Sequence, residues 1–259
     1  MSEPLARGAS PFLSIRKAFR ILELLAGRPP CGVTEIAEQL GLEKSGVSRL
    51  LKGLAELGYV TPEARRGPYR VGPGVLRLAQ DFLEGDPLVR EAQPLLRELA
   101  RTAHGSAHAA VLLRGDLVIV AKEPSPERIQ VTTRVGGPTP LHASAMGKIL
   151  LAALPPKELN RLLASPLARY TDRTLTDPRK LRKALEEIRR RGWSLESEEE
   201  HPGVGCIGAP VQDAQGRWIA ALSVSGPLQG TPFRLDRAHV KTVTSAAAEL
   251  SRRVGGTTA

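Results

Sequence analysis

Cys206, five residues after His201 and with His142 elsewhere in the chain, supplies the residue types of a thiol nucleophile and its base. That chemistry needs an imidazole within hydrogen-bond reach of the sulfur, and no spacing here provides one. His104 and His108 stand four apart, as in a helical metal pair, but they straddle Gly105, where a helix should end, and no third ligand is evident. Neither a metal nor a cofactor is expected. The run GVGCIG, residues 203–208, fits G-x-G-x-x-G, yet a dinucleotide fingerprint follows a strand and opens a helix. Here the acidic run ESEEE precedes it and Ala209-Pro210-Val211 continues it as a strand, so the fingerprint is rejected. His142 precedes a helix whose first turn, Ala143 to Met146, carries small residues. Free N–H groups at such a start attract anions, and small residues there serve packing equally well. Ser223 and Ser225, two apart on a strand, put both hydroxyls on one face, inward or outward.

A different chemistry sits in TEIAEQLGLEKSGVSRLLKGLAELGYV, residues 34–60. Val47, Leu50, Leu51, Leu54 and Leu57 make an apolar helical stripe, and at about 100° per residue Ser45, Arg49, Lys52 and Glu56 fall opposite it, with Ser48 at the flank. Hydroxyls, a guanidinium and an ammonium near a helix start can hydrogen-bond base edges and phosphates, and Gly46 leaves room for close approach. Ordinary solvated charges on a small helical core would show the same types. The segment 44–70 is nevertheless locally basic, with Lys44, Arg49, Lys52, Arg65, Arg66 and Arg70 against only Glu56 and Glu63.

The elements that must hold these groups can be read from periodicity and punctuation. Ser14 is a candidate N-cap for a first helix with Ile15, Ala18, Leu22 and Leu25 inward, ended by Gly27 and Pro29-Pro30. Thr34 can cap a short helix burying Ile36, Ala37 and Leu40, Gly41 suits a left-handed C-cap, and Leu42 plugs the turn. A third helix runs from about Glu43 to Leu57 and stops at Gly58. Tyr59 to Thr61 and Tyr69 to Val71 read as a small wing joined by a loop containing Pro62, Arg65, Arg66, Gly67 and Pro68. Residues 73–84 carry Val75, Leu78, Ala79 and Phe82 on one helical face before Gly85-Asp86-Pro87 breaks the pattern, and the domain boundary is placed there.

Beyond it a helix from Pro87 to about Ala103 gives way to alternating strands and helices. AHAAVLL and LVIVAKE flank Arg114-Gly115-Asp116 as a hairpin, IQVTTRV reads as a strand, GGPTP as a turn and ASAMGKILLAAL as a helix. Asp177-Pro178 opens a charged helix to Arg191, CIGAPVQD and WIAALSVS form a hairpin across Ala214 to Arg217, and residues 235–253 close the chain. The result is an α+β fold in two domains.

Composition narrows the classes further. Net charge is +10, but residues 1–85 hold 12 Lys/Arg against 9 Asp/Glu, so the global excess does not mark the basic helix. The two cysteines are far apart, which argues against a disulfide framework. No apolar run approaches the roughly 18 residues of a membrane span, and the start MSEPLARGASP lacks an apolar leader core; no membrane association and a cytoplasmic location are expected.

SIRKAFRILELLA, VTEIAEQLGLEKSGVSRLLKGLAELGYV and YRVGPGVLRLA resemble the winged helix-turn-helix domain of IclR-type bacterial transcription regulators. PLHASAMGKILLA, RGW before an acidic stretch, GVGCIGAPVQDAQG and AALSVSGP continue the resemblance through the second domain in the expected order. It implies residues 14–72 as DNA-binding domain, 73–86 as linker helix and 87–255 as a GAF-like effector-binding and oligomerisation domain with an antiparallel-rich sheet flanked by helices. Its partners would be a double-stranded DNA operator, a small organic or aromatic acid, and further copies of the chain as dimer or tetramer. The DNA-facing set would be Thr34, Lys44, Ser45, Gly46, Ser48, Arg49, Lys52, Arg65 and Arg66. The effector pocket would be Ala145, Met146, Glu196, Cys206, Ser223 and Ser225. Where the family often has Ser-Thr-Val-His this chain has Ser45-Gly46-Val47-Ser48, so its operator is its own. Glu196 lies in ESEEE, which reads as a solvated run, and its carboxylate disfavours an anionic ligand unless paired or protonated. Two other readings stay open: a thiol-dependent enzyme using Cys206 with an incidental DNA-binding domain, and a nonspecific architectural DNA binder.

Overall fold

A computed structural model describes residues 12–64 and 67–255, and the chain divides into two compact units between Phe82 and Leu83. The first contains α1 (Leu13–Leu25), α2 (Val33–Leu40), α3 (Lys44–Glu56), β1 (Val60–Pro62), β2 (Tyr69–Val71) and the greater part of α4 (Gly74–Gly85). Ile21, Leu25, Ile36, Val47, Leu51 and Val60 meet in its core. The wing is tighter than its two strands suggest, because Cys31 and Tyr69 exchange backbone hydrogen bonds of 2.9 and 2.8 Å on the far side of β2.

Two expectations for α1 and one for α2 fail. Helix α1 begins at Leu13 with Phe12 at the cap and no side-chain cap bond, so Ser14 lies inside it. The buried side chains are Ile21 and Leu25, whereas Ile15 is 56% exposed. Its first turns extend past the small core, and Phe12, Ile15 and Phe19 form a second, outward apolar line. Gly32, not Thr34, occupies the cap of α2, and Thr34 is an exposed residue of its first turn. Helix α4 forms as expected, but Leu78 is 58% exposed and Phe82 also faces solvent, so its apolar face is unpacked in the single chain.

The second unit is a six-stranded antiparallel sheet of order β5-β4-β3-β8-β7-β6. It comprises α5 (Pro87–Ala103), β3 (Ser106–Leu113), β4 (Asp116–Glu123), β5 (Pro138–Thr139), α6 (Ala145–Ala153), α7 (Pro156–Leu162), α8 (Pro178–Arg191), β6 (Ser194–Ser197), β7 (Val204–Gln212), β8 (Trp218–Pro227) and α9 (Arg237–Val254). Helices α5 and α9 cover one face over Ala107, Ala109, Leu222 and Val224, while α6 and α8 cover the other over Ile119 and Ala221. Asp86 and Asp177 cap α5 and α8 through their side chains. Arg114 and Gly115, both at positive φ, make the two-residue turn between β3 and β4.

IQVTTRV is not a strand. Its carbonyls are taken by side chains from the sheet instead of a ladder: Ser106 Oγ donates to Val131 O at 2.9 Å and Lys122 Nζ to Thr133 O at 2.7 Å. The segment is thereby pinned as a loop over β3 and β4. Strand β6 and helix α7 were not anticipated, the former because its sequence runs into the acidic stretch.

Candidate functional sites

The turn between α2 and α3 is fixed by a backbone pattern that requires glycine. Gly41 sits at φ 63°, its N–H reaches Glu38 O, and the next N–H, from Leu42, reaches back to Ala37 O at 2.9 Å. This is a Schellman closure, which a residue with a Cβ adopts only under strain. Gly58 repeats it at the end of α3, where Tyr59 N–H reaches Leu54 O. Helix α3 is thus cut to a defined length between two glycine closures.

Its solvent face carries the predicted groups. Lys44, Ser45, Arg49 and Lys52 are exposed, and Gly46 and Ser48 are half-buried. The first intrahelical bond is Val47 N–H to Glu43 O, and Glu43 makes no side-chain cap, so the N–H groups of Lys44, Ser45 and Gly46 point out of the helix start. A Cβ added at Gly46 or Gly53 would meet nothing within 4 Å. Glycine there costs the helix roughly 1 kcal/mol against alanine and the fold gains nothing from it. Both glycines share a face with Arg49, which is what close approach by an external partner requires. Arg65 and Arg66 lie outside the described residues.

The second site is built by strand register. Glu196 pairs with Cys206, Cys206 with Ser225 and Ser225 with Ser106, giving one polar row across β6, β7, β8 and β3. Two residues along, Ser194, Gly208, Ser223, His108 and Lys122 form a second row that reaches β4. The two-residue offset puts both rows on one face. Helix α6 begins above the β6 and β7 end: Ser194 Oγ donates to Ala145 O at 2.7 Å, and a Cβ on Gly208 would press against the Ala145 backbone. Ala145 therefore stands over the rows, with Met146 next to it and buried in the α6 core. The helix opens at Ala145, not Ala143. Ser144 caps it by accepting from Gly147 N–H at 3.1 Å while donating to Pro140 O, so one of the donors expected for an anion is already used.

The acidic run is buried, contrary to the solvated reading. Glu196 is 1% exposed and Glu199 is also buried. Lys148, the one cation in the apolar helix α6, forms an ion pair with Glu199, whose N–H in turn donates to Glu196. Thr171 and Thr174 hydroxyls fix the turn by donating to the carbonyls of Glu198 and Glu199. Burial pushes the Glu196 carboxyl up to about 7, against the opposing pull of the Glu199 N–H, the Cys206 thiol and Lys148. A group so poised is partly protonated at neutral pH and repels an anion less than an ordinary carboxylate.

The thiol chemistry loses its parts. His142 Nε2 bonds Ala168 O at 2.8 Å and its ring leans on Tyr170, while His201 is exposed beside Glu200. Cys206 meets Glu196 instead, and burial followed by the charge of Glu196 pushes the thiol well above its ordinary range. It is a thiol and not a thiolate. His104 caps α5 and pairs with Glu127 at 2.8 Å, far from a shared site with His108, and among the described residues no three potential metal ligands stand together.

Three participants were missed by sequence reasoning: Ser106, His108 and Lys122. They line a partly open cavity of about 180 Å³ together with residues 130–133. His108 is 2% exposed, and burial, then the charge of Lys122, pushes its pKa down to about 4, so the ring is neutral. The signal was present, because SAHAA read with a period of two puts Ser106 and His108 on one strand face. Pairing His104 with His108 used the helical period where the strand period applies.

A model of the IclR helix-turn-helix domain matches residues 14–64, and one of the bacterial transcriptional regulator IclR C-terminal domain matches residues 80–254. The HTH-type transcriptional regulator BhcR of Paracoccus denitrificans is 35% identical over 242 residues, 93% of this chain and 85% of that protein. The regulator KdgR of Escherichia coli is 32% identical over 244 residues, 93% and 92% of the two chains. The crystal structure of an IclR homolog from Microbacterium hydrocarbonoxydans complexed with 4-hydroxybenzoate superposes with a TM-score of 0.79 at 25% identity, covering 93% of this chain and 98% of that one.

Proposed function

The chain belongs to the IclR family of DNA-binding bacterial transcription regulators, and from that premise we propose how its parts divide the work. Residues 14–72 read an operator, residues 73–86 link, and residues 87–255 bind a small organic acid that changes operator affinity. The observation that carries the DNA assignment is the outward face of α3, where Lys44, Ser45, Gly46, Ser48, Arg49 and Lys52 surround three free N–H groups and a gap left by glycine. Arg49 reads a base edge or clamps a phosphate beside it, and the flanking backbone is assigned to Arg65 and Arg66, which lie outside the described residues. Thr34 contributes at the start of α2.

The acid site is the polar sheet face beneath α6, with Glu196, Cys206, Ser223 and Ser225 on the floor and Ala145 and Met146 at its roof. A relative solved with 4-hydroxybenzoate supports an organic acid as ligand class. The protein acts in the cytoplasm as a regulator and not as an enzyme: Cys206 is held as a thiol beside Glu196, and the His142 ring is bonded to Ala168 O instead of to the sulfur.

One recognition helix makes few base contacts, so the functional unit is a dimer on two half-sites, with pairing of dimers into tetramers. The exposed apolar side chains Ile15 and Phe19 on α1 and Leu78 and Phe82 on α4 are the surfaces for self-association. Binding of fragmented genomic DNA to the purified protein, with sequencing of the retained fragments, tests the reading. A discrete two-fold motif is expected, with affinity reduced roughly ten- to a hundredfold by Arg49→Ala at unchanged thermal stability. Uniform retention that disappears with modest salt would refute sequence-specific reading. Sedimentation of Phe19→Ser is expected to show weakened self-association, and an unchanged assembly would remove α1 from the interface.

A further inference from the structure

The cavity between β3, β4 and the loop 130–133 says more about the ligand than the family does, and the inference rests on the reading of this sheet face as an effector site. Its lining is polar: Pro124 and Val131 are the apolar members. Among the described residues that line it, Lys122 is the one cation, and its Nζ already spends one donor on Thr133 O. Two buried polar atoms of the residues that line it, His108 Nδ1 and Thr133 Oγ1, have no hydrogen-bond partner among the described residues. Ser106 is engaged, donating to Val131 O and accepting from Ser125 N–H, so it shapes the wall and does not bind. Glu123, at the rim, accepts from Gln93.

We propose that this cavity takes a small monocarboxylate bearing hydroxyl groups, its carboxylate against Lys122 and its hydroxyls on His108 and Thr133. One positive group matches one negative charge; a dicarboxylate would bring a second charge toward Glu123 with no cation to meet it. An apolar acid would leave the two unpartnered groups buried and unsatisfied, at a cost for each of them. The neutral imidazole of His108 supplies one donor and one acceptor, as a hydroxyl requires. A cavity of about 180 Å³ takes a small acid, and glycerate, with two hydroxyls for the two unpartnered atoms, matches it better than an acid that carries one hydroxyl or none.

Isothermal titration of the purified full chain with glycerate, propanoate, malonate and 4-hydroxybenzoate tests this. Glycerate is expected to bind at least tenfold more tightly than propanoate and more tightly than malonate or the aromatic acid. Lys122→Met should weaken glycerate about tenfold or more, and Thr133→Val should shrink the glycerate-to-propanoate ratio without changing propanoate; both sites are partly exposed, so the fold tolerates them. Equal affinity for glycerate and propanoate, preference for malonate or 4-hydroxybenzoate, or no binding by any of the four overturns the proposal. Operator retention separates the two readings. Glycerate binding in the expected order with no effect on DNA would leave this inference standing and defeat the regulatory role, whereas a different molecule releasing DNA would do the reverse.

Discussion

Glu196→Gln isolates one buried carboxyl by its effect on stability against pH. The group is moved from its ordinary 4.5 to about 7, with burial the largest cause. Between those values the native chain keeps a proton that the unfolded chain has released, so stability falls as pH rises. The contribution is complete below 4.5 and lost by about 7. At about 1.4 kcal/mol per pH unit the loss is on the order of 3 kcal/mol. His108 works in the opposite sense. Lowered from 6.5 to about 4, it leaves the native chain short of a proton the unfolded chain holds, so stability falls as pH drops from 6.5 toward 4. In the wild type the two slopes largely cancel between 4.5 and 6.5.

The glutamine variant keeps an oxygen to accept from Glu199 N–H but removes the titration. Its stability relative to wild type, set to zero at pH 4.5, should grow by on the order of 3 kcal/mol by pH 7.5. Its own curve should rise between 4.5 and 6.5 as the His108 slope is uncovered. Urea unfolding followed by tryptophan fluorescence reads this directly, since Trp193 and Trp218, the two tryptophans of the chain, both belong to the second unit. Parallel wild-type and variant curves across that range would refute the argument, because they would mean that Glu196 ionises at its ordinary pH despite its burial.

Two glycines give predictions about the scaffold of each site. Gly41→Ala forces a Cβ into the left-handed turn and should cost about 1–2 kcal/mol, lowering the melting temperature of the first unit and blunting operator binding through the angle of α3; an unchanged melt would mean the turn relaxes to another closure. At Gly147, one turn into α6, an added Cβ would fall on the backbone of Leu141, which cannot give way as a side-chain end can. Gly147→Ala should therefore destabilise the second unit by about 3 kcal/mol or more, while Gly46→Ala, with open space around it, should leave stability unchanged or improved and act only on DNA binding.

What was legible in the sequence was whatever one segment decides by itself. The helix pair follows from the spacing of Ile36, Ala37, Val47, Leu51 and Leu54 and from the two glycines at 41 and 58. The hairpins follow from turn residues such as Arg114-Gly115. Wherever a residue's surroundings come from another strand, local reading failed. IQVTTRV alternates like a strand, yet Ser106 and Lys122 take its carbonyls before another strand can. ESEEE has the composition of a surface run, but Lys148 fifty residues earlier needs a buried acid, and a lone lysine inside AMGKILLAA was the available clue. The residues that the resemblance implies, Cys206, Ser223 and Ser225, and those it does not include, Ser106, His108 and Lys122, are neighbours only through the register of β7, β8, β3 and β4. Near α6 the polar groups bond one another, Glu196 with Glu199 and Ser194 with Ala145, and the atom left without a partner there is a carboxylate oxygen, Glu199 Oε2, whereas toward β3 and β4 it is an imidazole nitrogen and a hydroxyl, those of His108 and Thr133. An unpartnered carboxylate oxygen repels an acid, whereas an imidazole and a hydroxyl beside Lys122 can take one, which is the ground for placing the proposed acid at that end.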